Sequence, residues 1–245
     1  VPYDFWDDAR AALQAAEPEL FMLAEAEAPA MHRAFDMTYG WELHHLLDEI
    51  AQGRKGVEEI DAYLERQDRT YAPGAYRMYF TSNHDENSWQ GTEYERMGAN
   101  HVPAFVLAAT LRGGMPLVYT GQEVSNRKRL RFFERDTVNW AGPSLAPFYR
   151  TMFDLKHRNE ALWNGSAGGA QTRLAAGERF YAFARTKGAN TVVVVVNFGD
   201  APMKIAYDGL PHPGEYTDWV SRARETLDPT GTISVPAHGY RVLVR

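Results

Sequence analysis

Tyr76-Arg77-Met78-Tyr79-Phe80-Thr81 runs straight into Ser82-Asn83-His84-Asp85-Glu86-Asn87, and the reading of this passage decides the fold. A short aromatic and apolar run is a strand, a polar cluster at its end is a loop, and the Ala-, Val- and Leu-rich stretch over about 97–111 is the helix that follows. The same grammar recurs on both sides. Upstream, Leu20-Phe21-Met22-Leu23-Ala24 is a continuous apolar run, of the kind a strand buried on both faces carries, and it stops at Glu25. A weaker strand lies at 34–37. Downstream, Gly113-Gly114 breaks the helix and Met115-Pro116-Leu117-Val118-Tyr119 leads into Gly121-Gln122-Glu123.

Helical spacing is read over 3–16, with Pro2 suited to a first turn and Pro18 to a stop, and again over about 41–51, 57–69 and 145–159. Strand, polar loop and helix repeating in this way predict a parallel α/β sheet whose functional loops lie at the strand carboxyl ends. Beyond about Gly165 the texture changes to short β-branched or alternating runs: 171–175, 180–186, 191–197, 203–207, 232–235 and 240–244. These predict an antiparallel β-sandwich over 165–245 after an α/β region over 1–164, with Val192–Val196 as the central buried strand. A complete eightfold βα barrel takes ~250 residues, so 1–164 holds about half to two-thirds of one. The first region is therefore an open sheet or roughly the second half of a (β/α)8 TIM barrel.

The whole chain has 245 residues, a net charge of −6 and no cysteine. The absence of cysteine excludes disulfides, thiolate metal sites and cysteine nucleophiles. The acidic balance disfavours a nucleic-acid partner, and no apolar run approaches the ~18 residues of a membrane span. The first residue is Val1, so the sequence is expected to begin within a longer protein or after processing. Aromatic residues make up 13% of the chain, and flat rings suit sugar faces as well as ordinary cores.

Glu25 and Asp85 each stand just past a strand, where a parallel sheet gathers its site, so both carboxylates can enter one crevice. Paired acids there suit general acid catalysis and stabilisation of an oxocarbenium ion, because burial can hold one protonated while the other stays ionised. Helix capping is the competing role for Glu25 and the favoured one for Glu27. Asn83-His84-Asp85 places an amide, an imidazole and a carboxylate side by side, which favours function over packing. His44 and His45 are adjacent on a helix and diverge, so no metal site is expected, and no cofactor. Trp41 and Trp89 lie near the crevice as candidates for sugar stacking. The basic run Arg127–Arg131 is read as a solvated loop, with Glu134 and Asp136 as partners.

Phe80-Thr81-Ser82-Asn83-His84-Asp85 resembles the Asn-His-Asp stretch of the alpha-amylase family, family thirteen of the glycoside hydrolases. Phe21-Met22-Leu23-Ala24-Glu25-Ala26 resembles that family's acid-bearing strand. Gly114–Glu123 resembles its last barrel strand and Gly-Gln-Glu loop, and the β-rich tail its C-terminal sandwich. The resemblance implies a retaining glycosidase or transglycosylase on alpha-glucosidic bonds. In it Glu25 would be the general acid/base, Asp85 the stabiliser of the transition state, and His84 and Asn83 substrate-binding residues of the same motif. The family's aspartate nucleophile lies in a Gly-x-Arg-x-Asp strand, and no such stretch occurs in this sequence.

The resemblance therefore places the nucleophile upstream of Val1 and implies that this chain alone is inactive. An alpha-glucan or other alpha-glucoside is the implied substrate. Unpaired strand edges imply that the missing half of the barrel, or a second copy of the chain, completes the sheet. Two other readings stand beside this one: a non-catalytic carbohydrate-binding or structural piece, and an unrelated α/β protein with a sandwich tail.

Overall fold

The computed structural model describes residues 1–245. Helix α1 (Tyr3–Ala16) precedes strand β1 (Leu23–Ala24), and β2 (Met37–Tyr39), β3 (Tyr76–Phe80) and β4 (Gly114–Leu117) complete a four-stranded sheet. All neighbours are parallel and the spatial order β1-β2-β3-β4 is the chain order. Helices α2 (Trp41–Ala51) and α3 (Glu59–Thr70) cross from β2 to β3, and α4 (Glu93–Met97) and α5 (His101–Thr110) cross from β3 to β4. Helix α6 (Ala146–Arg158) follows the long loop after β4.

Side-chain alternation divides the sheet into two faces. Met37, Tyr39, Met78 and Phe80 form one small cluster. Tyr79 points the other way, into a far larger core with Leu43, Leu47, Tyr63, Phe105 and Met152 from the helices. Gly114 on β4 permits this packing, since a Cβ there would fall 1.8 Å from the Tyr79 ring.

The second region has strands β5 (Ala170–Gly177), β6 (Phe180–Lys187), β7 (Asn190–Asn197), β8 (Met203–Tyr207), β9 (Gly214–Asp218), β10 (Arg224–Leu227), β11 (Gly231–Val235) and β12 (Gly239–Val244). Six of them form an antiparallel sheet in the order β10-β9-β12-β7-β6-β5, faced by the pair β11-β8. Val192–Val196 lies at the centre and is fully buried. Val193 and Val195 point into the sandwich with Ile205, Ile233 and Leu243. Val192, Val194 and Val196 point to the helices and share the core of α2, α3, α5 and α6. The six-stranded sheet is thus buried on both faces, which is why its central strand reads as unbroken valine.

Three expectations are corrected. The run 20–24 is not buried on both faces: Phe21 and Leu23 are 47% and 38% exposed, because β1 has a neighbour on one side only. The second strand lies at Met37–Tyr39, a little beyond the predicted 34–37. The helix predicted over 97–111 spans only His101–Thr110: Met97 ends the preceding helix α4, and the turn over Gly98–Asn100, where Gly98 takes φ +56°, separates the two.

Candidate active site

Glu25 follows β1 and His84 and Asp85 follow β3, so the loops leave the same carboxyl edge of the sheet with one strand between them. His84 Nε2 lies 3.1 Å from Glu25 Oε1 and 3.9 Å from Asp85 Oδ1. All three side chains remain open to solvent, at 49%, 42% and 36% for Glu25, His84 and Asp85. Beneath them sits Tyr39. Burial first, and then the charges of Glu25 and Asp85, push its phenol up to about 12, so it stays a hydrogen-bond donor below two acids.

The loop is rigid for reasons visible in its own residues. Asn83 is 1% exposed and its Oδ1 accepts the amide of Glu86 at 2.8 Å, so this residue shapes the turn from inside. Asn83, expected as a substrate-binding residue, thus bonds within the loop that carries His84 and Asp85. A wide π turn follows over Glu86–Gln90, closed by the Gly91 amide on the Glu86 carbonyl at 2.9 Å. The turn sends Glu86 inward and Trp89 outward. Glu86 meets His44 Nε2 at 3.0 Å, while His44 Nδ1 lies 3.2 Å from the Phe80 carbonyl. Burial works to raise the Glu86 carboxyl, but the hydrogen bond and charge of His44, with Arg96 behind them, hold it below the usual glutamate range. Arg96 grips both oxygens of Asp48 at 2.8 Å and the Thr81 carbonyl at 2.7 Å, pinning the end of β3. Gln122 of the Gly-Gln-Glu loop completes the frame by donating to Thr81 Oγ1 at 3.1 Å.

Trp89 and Trp41 have different surroundings. Trp89 is exposed and tilts onto Phe132 at 5.2 Å, and Phe132 stacks on the His84 ring at 5.8 Å. Phe133, 85% exposed, continues the row. Trp41 is half-buried against Phe80 and Tyr39 and stacks on His45, one ring removed from the acids. Sequence reasoning missed Tyr39, Phe132 and Phe133. The last two reach His84 because Asn87 Oδ1 accepts the Leu130 amide at 2.7 Å and Ser88 Oγ donates to its carbonyl, contacts that no spacing announces.

The remaining residues singled out by their sequence pattern have structural work. Glu27 accepts the Glu42 amide at 3.0 Å and so caps α2. Arg129 pairs with Glu95, Lys128 with Asp136 and Arg131 with Glu134, so the basic run is a salt-bridged loop. His44 and His45 do not diverge as expected: their rings are 5.4 Å apart, and with Glu86 they offer ligand atoms within 4.8 Å of one another. Glu25, His84 and Asp85 do the same. At the first trio the Arg96 guanidinium, 3.4 Å from His44 Nε2, supplies the positive charge that a cation would have to displace.

Residues 172–244 match the family model described as the alpha-amylase C-terminal all-beta domain. The chain is 28% identical over 232 residues, 90% of its length, to alpha-amylase MalA from Haloarcula japonica, and spans about a third (33%) of that protein. Among solved structures it superposes on a maltogenic alpha-amylase, AmyB, from Thermotoga neapolitana with a TM-score of 0.84 at 21% identity, covering 100% of this chain and 58% of that one. An alpha-amylase from Lactobacillus plantarum gives 0.80 at 23%, covering 100% and 60%.

Proposed function

We propose that this chain, related to the alpha-amylases by sequence and by its partial barrel and sandwich, supplies the acid half of a retaining site for alpha-glucosidic bonds. The supporting observation is the Glu25–His84–Asp85 constellation, drawn from two strands and open to solvent at the sheet edge where such folds work. In this reading Glu25 protonates the departing glycosidic oxygen and then takes a proton from the incoming water or sugar hydroxyl. Asp85 offers its carboxylate to the positive charge that develops on the sugar ring. His84 hydrogen-bonds the ring hydroxyls, and Trp89 with Phe132 offers a flat apolar wall to a neighbouring glucose unit.

Retention needs a second carboxylate about 5 Å from the acid/base, on the opposite face of the sugar. The 245 residues contain no Gly-x-Arg-x-Asp stretch, so this reading takes the nucleophile from a segment outside them, packed on the free edge of β1. The half-exposed apolar residues Phe5, Leu13, Phe21 and Leu23 lie at that end of the molecule and would be covered by it, or by a second copy. The chain by itself is expected to release no sugar from maltooligosaccharides, while a longer protein containing it does. In that protein Glu25→Gln lowers kcat by about 10²–10⁴-fold with little change in fold. Unaltered turnover in Glu25→Gln would leave only the binding role for this site.

A further inference from the structure

Far from the acids, Arg77 presents an unexplained charge. It lies on β3 with its side chain on the helix side, is 3% exposed, and its Nε and Nη1 are buried without a hydrogen-bond acceptor. Its neighbours are the Tyr71 ring, 4.3 Å from the guanidinium carbon, and the hydroxyls of Tyr63 and Tyr79, which are joined to each other at 2.9 Å. None of these carries a negative charge at neutral pH. The carboxylates that feel Arg77 are committed elsewhere, Glu27 to the start of α2 and Asp68 to both terminal nitrogens of Arg112.

A buried guanidinium left this way is costly unless an anion joins it. There is room for one: a cavity of about 410 Å³ opens between the sheet and the sandwich. Arg77, Arg112 and Arg185 all line it, against the single carboxylate of Asp68. Arg185 is also buried, and its bonds go only to the carbonyls of Thr110, Trp163 and Gly169. Lys156, next to Arg185, is likewise held by the Leu162 carbonyl at 2.8 Å with no acid partner. Asp68 thus answers Arg112, burial lowers the Lys156 amine to about 7, and the guanidinium groups of Arg77 and Arg185 are left without a carboxylate partner. Gly113 keeps the approach open, because a Cβ there would stand 3.2 Å from Arg77 Nη2.

Gln67 adds a selectivity element. It lines the cavity; its Nε2 donates to Glu42, while its Oε1 is buried and without a donor. An oxyanion that keeps an O–H at neutral pH can satisfy Arg77 and Gln67 together. We infer that this cavity, at the junction of the parallel-sheet region and the sandwich, is a binding site for inorganic phosphate, held by the Arg77 and Arg112 guanidinium groups, with its hydroxyl turned to Gln67.

Equilibrium dialysis of the 245-residue chain against radiolabelled phosphate, at constant ionic strength in chloride, tests this directly. One saturable phosphate per chain is expected, accompanied by a phosphate-dependent rise in Tm that chloride does not give. Arg77→Met, which keeps the stem and removes the charge, should weaken binding by about tenfold or more. Arg129→Met, in the salt-bridged loop at the other end of the sheet, should leave it unchanged. Sulfate, which carries no O–H, should bind several-fold more weakly in the native chain and equally in Gln67→Met. Absence of saturable binding, or undiminished binding in Arg77→Met, overturns the site. Should Arg77→Met fail to fold, the half-exposed Arg112→Gln decides, loss of binding supporting the site and retention overturning it.

Discussion

Helices α1 and α5 flank the same sheet and have opposite fates. Every residue of α5 from Pro103 to Thr110 is buried, because the helix lies between β3 and β4 on one side and β7 and β12 of the sandwich on the other. No residue of α1 is buried. It is held by the bidentate Arg10–Asp36 pair and by Trp6 edge-on to Phe35 at 5.1 Å, while Phe5 and Leu13 face water. The large core therefore belongs to the second region and the helices packed on it, and the acid-bearing β1 hangs from its thin end. Glu25 depends on the least supported strand, whereas Asp85 depends on the best braced.

The largest expected effect follows from that contrast. Phe105→Ala in α5, where the ring packs edge-on to Tyr149 at 4.7 Å, should cost about 3–5 kcal/mol in urea unfolding, and Leu13→Ala in α1 less than about 1. Equal costs would break the comparison. Next in size is a pH effect at the first residue of α5. Burial, helped by Arg127, lowers the His101 imidazole from 6.5 to about 4, so the folded chain keeps it neutral while the unfolded chain protonates it. The stability this gives is complete above pH 6.5 and is lost as pH falls towards 4, up to about 3 kcal/mol in all. Urea midpoints between about pH 7.5 and 4.5 should show that slope in the native chain and a shallower one in His101→Phe; identical slopes would mean the start of α5 is not sealed. The smallest effect concerns the caps. Thr92 and Glu95 form a reciprocal capping box on α4, which leads into α5, whereas α1 has no side-chain cap. Thr92→Ala should cost about 1 kcal/mol, and a loss near zero would show that the packed end needs no such fastening.

What could be read in the sequence follows the same division. Apolar runs that end in charge marked β1 and β3 and so brought out Glu25, His84 and Asp85, because strand ends are places where local pattern and site coincide. Strands β9 and β10 escaped notice, since Glu215, Asp218, Arg224 and Glu225 give them the look of loops; their outer sides are wet, and Arg241 ties Asp218 to Glu225 across them. Arg77 was hidden for the reverse reason. It stands inside a strand that reads as aromatic and apolar, and only the packing of Tyr63, Tyr71 and Tyr79 around it reveals a charge without a counterion. Phe132 and Phe133 sit in a segment that reads as basic, and their place beside His84 is fixed by bonds to Asn87 and Ser88 some forty positions earlier.

The π turn over Glu86–Gln90 is in effect a helix wound with one residue to spare. Deleting Ser88 would let the segment relax to ordinary α winding and swing Trp89 by about 100° around the axis, breaking its register with Phe132 while Glu86 kept its grip on His44. One surplus residue thus gears an exposed aromatic surface to a buried ionic anchor, and lets the first be retuned without disturbing the second.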